Sequence, residues 1–205
     1  DLSNLYITKV KNMSNMFSNC QALASLNFTN TKTNSLLDMS YMFDSCRSLK
    51  ELNLSNFHTL RVRNMSHTFY HCSAIESLYF GSFFNTRNVI DMTRMFHYCY
   101  YLKKVDVSYF NTSNVQTMSG MFAYDSNLES LDVSKFNTKN VRDMSEMFYD
   151  CIKLTSLNVS GFKTDKVTKM NGMFNRCTQL TSLDLNNFNT SSVETMAFMF
   201  YGLNN

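Results

Sequence analysis

The sequence predicts an α/β solenoid of eight stacked 26-residue coils, built from a parallel strand ladder plus short helical turns. Three observations carry this. The Phe of a recurrent Met-Phe motif falls at Phe17, Phe43, Phe69, Phe96, Phe122, Phe148, Phe174 and Phe200, at intervals of 26 residues with a single 27. All 15 Met and all six Cys lie in three slots of that repeat. Within a unit, a period-2 alternation of apolar residues is followed by apolar residues at steps of three, four and three. An internal period of this length signals a solenoid or similar array. One such unit cannot bury its apolar face alone, whereas a stack of them can.

The unit reads L-x-[LV]-S-x-F-x-T-x-x-V-x-x-M-S-x-M-F-x-x-C-x-x-L-x-x. The first Met slot holds Met13, Met39, Met65, Met92, Met118, Met144, Met170 and Met196, and the second holds Met in every unit except the third, where Thr68 stands. The Cys slot holds Cys20, Cys46, Cys72, Cys99, Cys151 and Cys177, with Asp125 and Leu203 in the other two units. One array covers residues 1–205, in approximate units 1–25, 26–51, 52–77, 78–104, 105–130, 131–156, 157–182 and 183–205. The extra residue lies near Ser82–Phe84, where "YFGSFFNT" replaces forms such as "LDVSKFNT".

Each element of the coil follows in order. "LTSLNVSGF" (Leu154 to Phe162) alternates as a short strand does. The hydroxyl-rich "KTDK" makes a corner. Val167, Met170, Phe174 and Cys177 then have the spacing of an inward helical face, and Ser145 in "DMSEMF" is placed as an N-cap. Proline is absent and Gly numbers only five, so corners must be turned by Asn, Ser and Thr side chains bonding their own backbone. Parallel strands stack about 4.8 Å apart, so eight coils give a rod or arc of roughly 40 Å.

Composition narrows the function. Hydrophobic residues make up 44% of the chain, enough for a core, and the net charge is +3. That charge does not ask for nucleic acid or anionic membrane, and no apolar run is long enough to span a bilayer. Asp1 opens mid-pattern, and we expect a piece of a longer protein whose missing regions provide anchoring and end caps. No nucleophile elbow, phosphate loop or paired carboxylates stand apart from the repeat, so a non-enzymatic protein without a cofactor is expected.

"LDVSKFNTKNVRDMSEMFYDCIKL" (Leu131 to Leu154) resembles the 26-residue repeat of the BspA-like leucine-rich-repeat surface proteins and lipoproteins of bacteria, and the likeness extends over all eight units. The resemblance implies a right-handed leucine-rich-repeat-type solenoid at the cell surface, with adhesion to host or neighbouring-cell proteins, matrix proteins or glycans as its function. It carries over no catalytic residue. The alternative is a structural stalk or coat spacer without a ligand of its own; a third reading makes the array a targeting module for a catalytic domain elsewhere.

Several slots admit a bland and a sharp reading. Six Cys in register allow the disulfides 20–46, 72–99 and 151–177, or a ladder of buried free thiols. The Met columns are core rather than a soft-metal site. Asp125, a carboxylate in the Cys slot, places that slot at the edge of the core or takes hydrogen bonds from local backbone; the edge is expected. The strand slot holds Asp1, Asn27, Asn53, Tyr79, Asp106, Asp132, Asn158 and Asp184, read as a solvated Asx ladder bonded along the stack or as a ligand-binding stripe centred on Asp106 and Asp132. The N-x-[ST] triplets are by-products of the repeat.

Departures from the repeat gather around units three and four: His58, His67, His71 and His97, and Tyr70, Tyr79, Tyr98, Tyr100, Tyr101 and Tyr109, with Phe83 and Phe84 at the insertion. Tyr is favoured at binding hot spots. The candidate ligand-binding residues are therefore Tyr70, Tyr79, Phe84, His97, Tyr98, Tyr100, Tyr101, Asp106, Tyr109 and Asp132; drift within a degenerate array is the rival reading. His67 and His71, four apart with His97 nearby, could ligate zinc, but exposed His is the default, and no metal site is assigned.

Overall fold

The structure, a computed structural model, describes residues 2–3 and 5–203. Its organising feature is a hydrogen-bonded seam through the Met-Ser-x-Met-Phe-x-x-Cys segments. The main-chain N–H groups of Met13, Asn15, Phe17 and Asn19 donate to the carbonyls of Asp38, Ser40, Met42 and Asp44 at 2.8–3.0 Å. The same four bonds recur from each repeat to the next, ending with Met170, Gly172, Phe174 and Arg176 on Thr195, Ala197, Met199 and Tyr201. Parallel bridges run alongside, from Asn12↔Asp38 through Asn64, Asp91, Thr117, Asp143 and Lys169 to Thr195.

This pairing replaces the expected helical turns, and no helix occurs among the described residues. A helix sends each N–H to the carbonyl four residues back. Here alternate N–H groups go to the next repeat, and those between close tight turns, as Met16 N–H to Met13 and Cys20 N–H to Phe17 do. Every fourth residue is left-handed: Asn15 and Asn19, Tyr41 and Ser45, His67 and His71, and so on to Phe198 and Gly202, with φ of 52–75°. A non-glycine residue there costs about 1–2 kcal/mol, offset by burial of the Met and Phe it orients. The N-cap reading of Ser145 changes too. Its N–H donates to Asp143 Oδ1 at 2.9 Å, an Asx turn that opens the segment.

The L-x-[LV] slot forms regular strands only at β1 (Glu51–Asn53) and β2 (Ser77–Tyr79), paired parallel with Leu52 opposite Leu78. Leu131 and Leu157 form an isolated bridge. The parallel ladder is therefore continuous one corner away from where the alternation predicts it.

Core packing follows the slots. The motif Phe rings stack from Phe17 to Phe200 with successive centroids 5.4–6.1 Å apart and planes within 14°. Thr68, in a Met slot, is fully buried and donates its hydroxyl to the Met65 carbonyl at 2.8 Å, which satisfies the only polar atom the exchange introduces. A buried Thr column stitches the corners. Thr138 Oγ1 donates to the Lys163 carbonyl and accepts that residue's N–H, and Thr112 and Thr164 do the same with Asn137 and Asn189.

The Cys slot is interior from Cys46 to Cys177 and open at Cys20, and all six Cys are free thiols. Cys72 Sγ–H donates to the Phe43 carbonyl at 3.0 Å, with the equivalent bond at Cys46, Cys99, Cys151 and Cys177. The three candidate disulfides are not formed: at least one sulfur of each pair donates to a carbonyl instead. Asp125 corrects the expectation of an edge position: it is fully buried. Its Oδ1 accepts the Cys99 main-chain N–H at 2.7 Å, and burial pushes its carboxyl well above the ordinary range. Among the described residues no helix is long and apolar enough to cross a membrane.

Candidate binding groove

On the L-x-[LV] face the repeats pair incompletely. Leu54 N–H reaches the Tyr79 carbonyl at 2.9 Å, but the amides of Val107, Val133 and Val159 make no equivalent bond. The face there opens into a groove of about 1020 Å³. Its walls carry two side-chain columns. Tyr79, Asp106, Asp132 and Asn158 form one, and Ser77, Lys104, Ser130 and Ser156 the other, over Leu78, Val105, Leu131 and Leu157.

The strand-slot Asx residues are held by their own chain, not along the stack. Oδ1 of Asp106, Asp132 and Asn158 accepts the N–H of Ser108, Ser134 and Ser160 at 2.9–3.1 Å. Asn27, Asn53 and Asp184 do likewise; Asp1 lies outside the described residues. The Ser134 hydroxyl and N–H hold the Asp132 carboxyl below the usual range. Each side chain is thus fixed in direction by one oxygen, and both columns are exposed apart from Ser77, which is partly buried.

The structure divides the candidate residues between three places. Tyr79, Asp106 and Asp132 line the groove, with exposed Tyr109 beside the first two in an adjoining pocket. Tyr70, His97 and Tyr98 belong to an aromatic belt over the turn segments. Tyr70 stacks on His97 at 4.9 Å and on His71 at 4.8 Å, and Tyr98 stacks on Tyr124 at 5.4 Å. Tyr100 and Tyr101 form an exposed edge-to-face pair at 5.2 Å. Two candidates are core residues instead. Phe84 is 3% exposed and His97 6% exposed; His97 offers no surface to a ligand, and Phe84 shows only in the floor of the pocket beside Tyr109. Phe84 completes the second Phe column against Phe110, because the inserted residue restores the repeat register by that point.

The belt histidines are held neutral. Burial and the Arg94 charge push His97 down to about 4 and lower His67; burial and Arg47 lower His71. Among the described residues no group of three or more His, Cys, Asp or Glu side chains is placed to hold a metal ion. The Ser77–Ser156 column is what sequence reasoning missed. Its signal was the Ser that precedes the second Leu in "LTSL" and its equivalents, a slot the core does not need.

A family model described as "Mycoplasma protein of unknown function, DUF285" matches residues 1–96, 79–157 and 131–205. No curated protein matches in sequence. Similar solved structures include a leucine-rich repeat protein from Eubacterium ventriosum, at 17% identity and TM-score 0.40 over 86% of this chain and 38% of that one. They also include TLR13 in a complex with ssRNA13, at 19% and 0.33 over 75% and 24%. An internalin (inlF) from Listeria monocytogenes is similar at 18% and 0.35 over 83% and 56%. The chain thus spans 24–56% of the length of these three.

Proposed function

The chain belongs to the DUF285 family of Mycoplasma proteins of unknown function, and from that premise we propose that it is a protein-binding repeat module of the leucine-rich-repeat type. In this reading it is a right-handed solenoid of eight coils on a bacterial cell surface. It mediates adhesion to a host or neighbouring-cell protein, matrix protein or glycan and has no enzymatic role of its own. Anchoring comes from regions outside this chain.

The observation that carries the reading is the groove. The buried Thr, Cys, Met and Phe columns close bonds or fill the core. Groove residues Tyr79, Asp106, Asp132 and Asn158 come from successive repeats, and their outer atoms are committed to nothing in the fold. Shallow surfaces built from several repeats suit an extended macromolecular partner better than a small molecule, which prefers an enclosed, mostly apolar pocket.

The test is a binding screen of the 205-residue chain against matrix proteins and glycans. A Ser130→Arg, Ser156→Arg variant and a Tyr98→Ser, Tyr100→Ser, Tyr101→Ser variant run beside it. Binding that the groove variant loses and the triple Tyr variant keeps is the expected result. Loss only in the Tyr variant moves the site to the belt and its flank. No binding by any well-folded sample favours the stalk or spacer, in which every surface change is neutral.

A further inference from the structure

The end of the groove where the repeat is irregular allows a narrower reading, which rests on the proposed binding role of this face. Between residues 78–84 and 106–110 lies a pocket of about 140 Å³. A cavity of about 150 Å³ accepts one benzene ring, so this one has room for a single planar group. Its floor is aromatic: Phe80 lies 4.5 Å from Phe84 and 5.4 Å from Phe110, ring centre to ring centre. Tyr79 and Tyr109 form the rim, 53% and 81% exposed. Neither ring stacks on another among the described residues.

Asp106 is the one charged residue of the lining. Its Oδ1 takes the Ser108 N–H at 3.0 Å and the Ser108 hydroxyl at 2.6 Å, which fixes the carboxylate in place, and it joins no ion pair among the described residues. The insertion shapes the site. Gly81 sits so close to the preceding repeat that a Cβ would lie 2.6 Å from the Ser55 carbonyl oxygen. The corner is thus drawn toward Ser55, on the side away from Tyr109.

We propose that this pocket receives an arginine side chain of a partner protein laid in the groove. Aromatic faces attract a cation through their quadrupole, and a carboxylate at the rim adds a charged acceptor. A guanidinium is flat, weakly hydrated and stacks on rings, whereas an ammonium is compact and strongly hydrated. An anionic group would meet Asp106, and a sugar would find one fixed polar side chain where it needs several.

The probe is the peptide Gly-Ser-Gly-Arg-Gly-Ser-Gly, capped at both ends, titrated into the 205-residue chain carrying labelled Tyr and followed by NMR. Matched peptides carry citrulline or Lys in place of Arg. Saturable shifts of the Tyr79 and Tyr109 rings are expected with Arg, about tenfold weaker with citrulline and weaker also with Lys. Asp106→Asn keeps the Asx turn, since Asn27, Asn53 and Asn158 fill this slot elsewhere. It should lower affinity for the Arg peptide about tenfold and leave the citrulline peptide unchanged. Unmoved rings, an equal response to Arg and citrulline, or an Asp106→Asn variant that binds like the parent overturns the proposal. If the peptides fail while the Ser130→Arg, Ser156→Arg variant still loses a macromolecular partner, the pocket assignment falls and the groove reading stands.

Discussion

Asp125 Oδ1 accepts the Cys99 main-chain N–H at 2.7 Å inside the Cys column, while Oδ2 has no hydrogen-bond partner. A buried, half-satisfied carboxylate is stable only as the neutral acid. Its folded pKa is raised from the ordinary 3.8, so between those values the folded state binds the extra proton and stability falls as pH rises. Asp125→Asn keeps the Oδ1 acceptor and has no charge to shed. It should be the more stable protein at pH 7, with the gap narrowing toward pH 4. Urea unfolding of both proteins across that range measures it; a gap that ignores pH would mean the carboxylate finds water.

Thiol chemistry reads the same column differently. Cys20 is exposed, and Cys46, Cys72, Cys99, Cys151 and Cys177 are buried. Burial pushes Cys46 and Cys177 up to about 12 and Cys72, Cys99 and Cys151 well above the usual thiol range, and reactivity follows the thiolate. An aromatic disulfide reagent at pH 8 should therefore label Cys20 quickly and the other five only as the protein unfolds. Rapid labelling of more than one thiol in the native state would contradict the buried column.

These residues mark how far the sequence can be read. The inward slots are legible because hydrophobic periodicity reports burial directly: Met170, Phe174 and Cys177 are all fully buried. Backbone conformation is not. Steps of three, four and three fit a helix face, and they fit equally a run with a left-handed residue every fourth place. What separates the two is the bonding of Met13, Asn15, Phe17 and Asn19 to the next repeat, a relation between distant residues that local spacing does not encode. A trace of it survives in Asn15, Asn19, Gly120 and Gly172, residue types that tolerate a left-handed backbone. Tyr41, His67 and Arg94 in the same slots hide it.

The candidate site divides along the same line. Tyr79, Asp106 and Asp132 meet in one groove because a strand slot fixes which way they face. His97 is singled out by residue type, and type does not report which flank of a turn is covered by the next repeat.

His97 supplies a pH dependence of opposite sign. The residue is 6% exposed, and burial and Arg94 lower its pKa from 6.5 to about 4. The unfolded chain therefore binds the proton first. The stabilisation is complete above pH 6.5 and lost as pH falls toward 4. His97→Phe should remove this sensitivity, on the order of 2 kcal/mol between pH 7 and pH 4. Thermal melts of the two proteins at matched ionic strength test it, and parallel Tm-against-pH curves would sink it.

The insertion gives a paired comparison at two glycines that both have φ outside the left-handed region. A Cβ on Gly81 would meet Ser55 backbone atoms at 2.6 and 2.8 Å, whereas one on Gly161 would meet only the Ser134 carbonyl oxygen, at 3.4 Å. Backbone cannot swing away as a side-chain tip can. Gly81→Ala should therefore cost about 1–3 kcal/mol, and Gly161→Ala should be near neutral or slightly stabilising, since Ala restricts the unfolded chain. Because Gly81 also borders the pocket of Tyr79 and Tyr109, the Gly81→Ala protein should show altered NMR signals of those two rings, and the Gly161→Ala protein should not. Equal stability of the two variants would place the Gly81 corner farther from Ser55 than 2.6 Å.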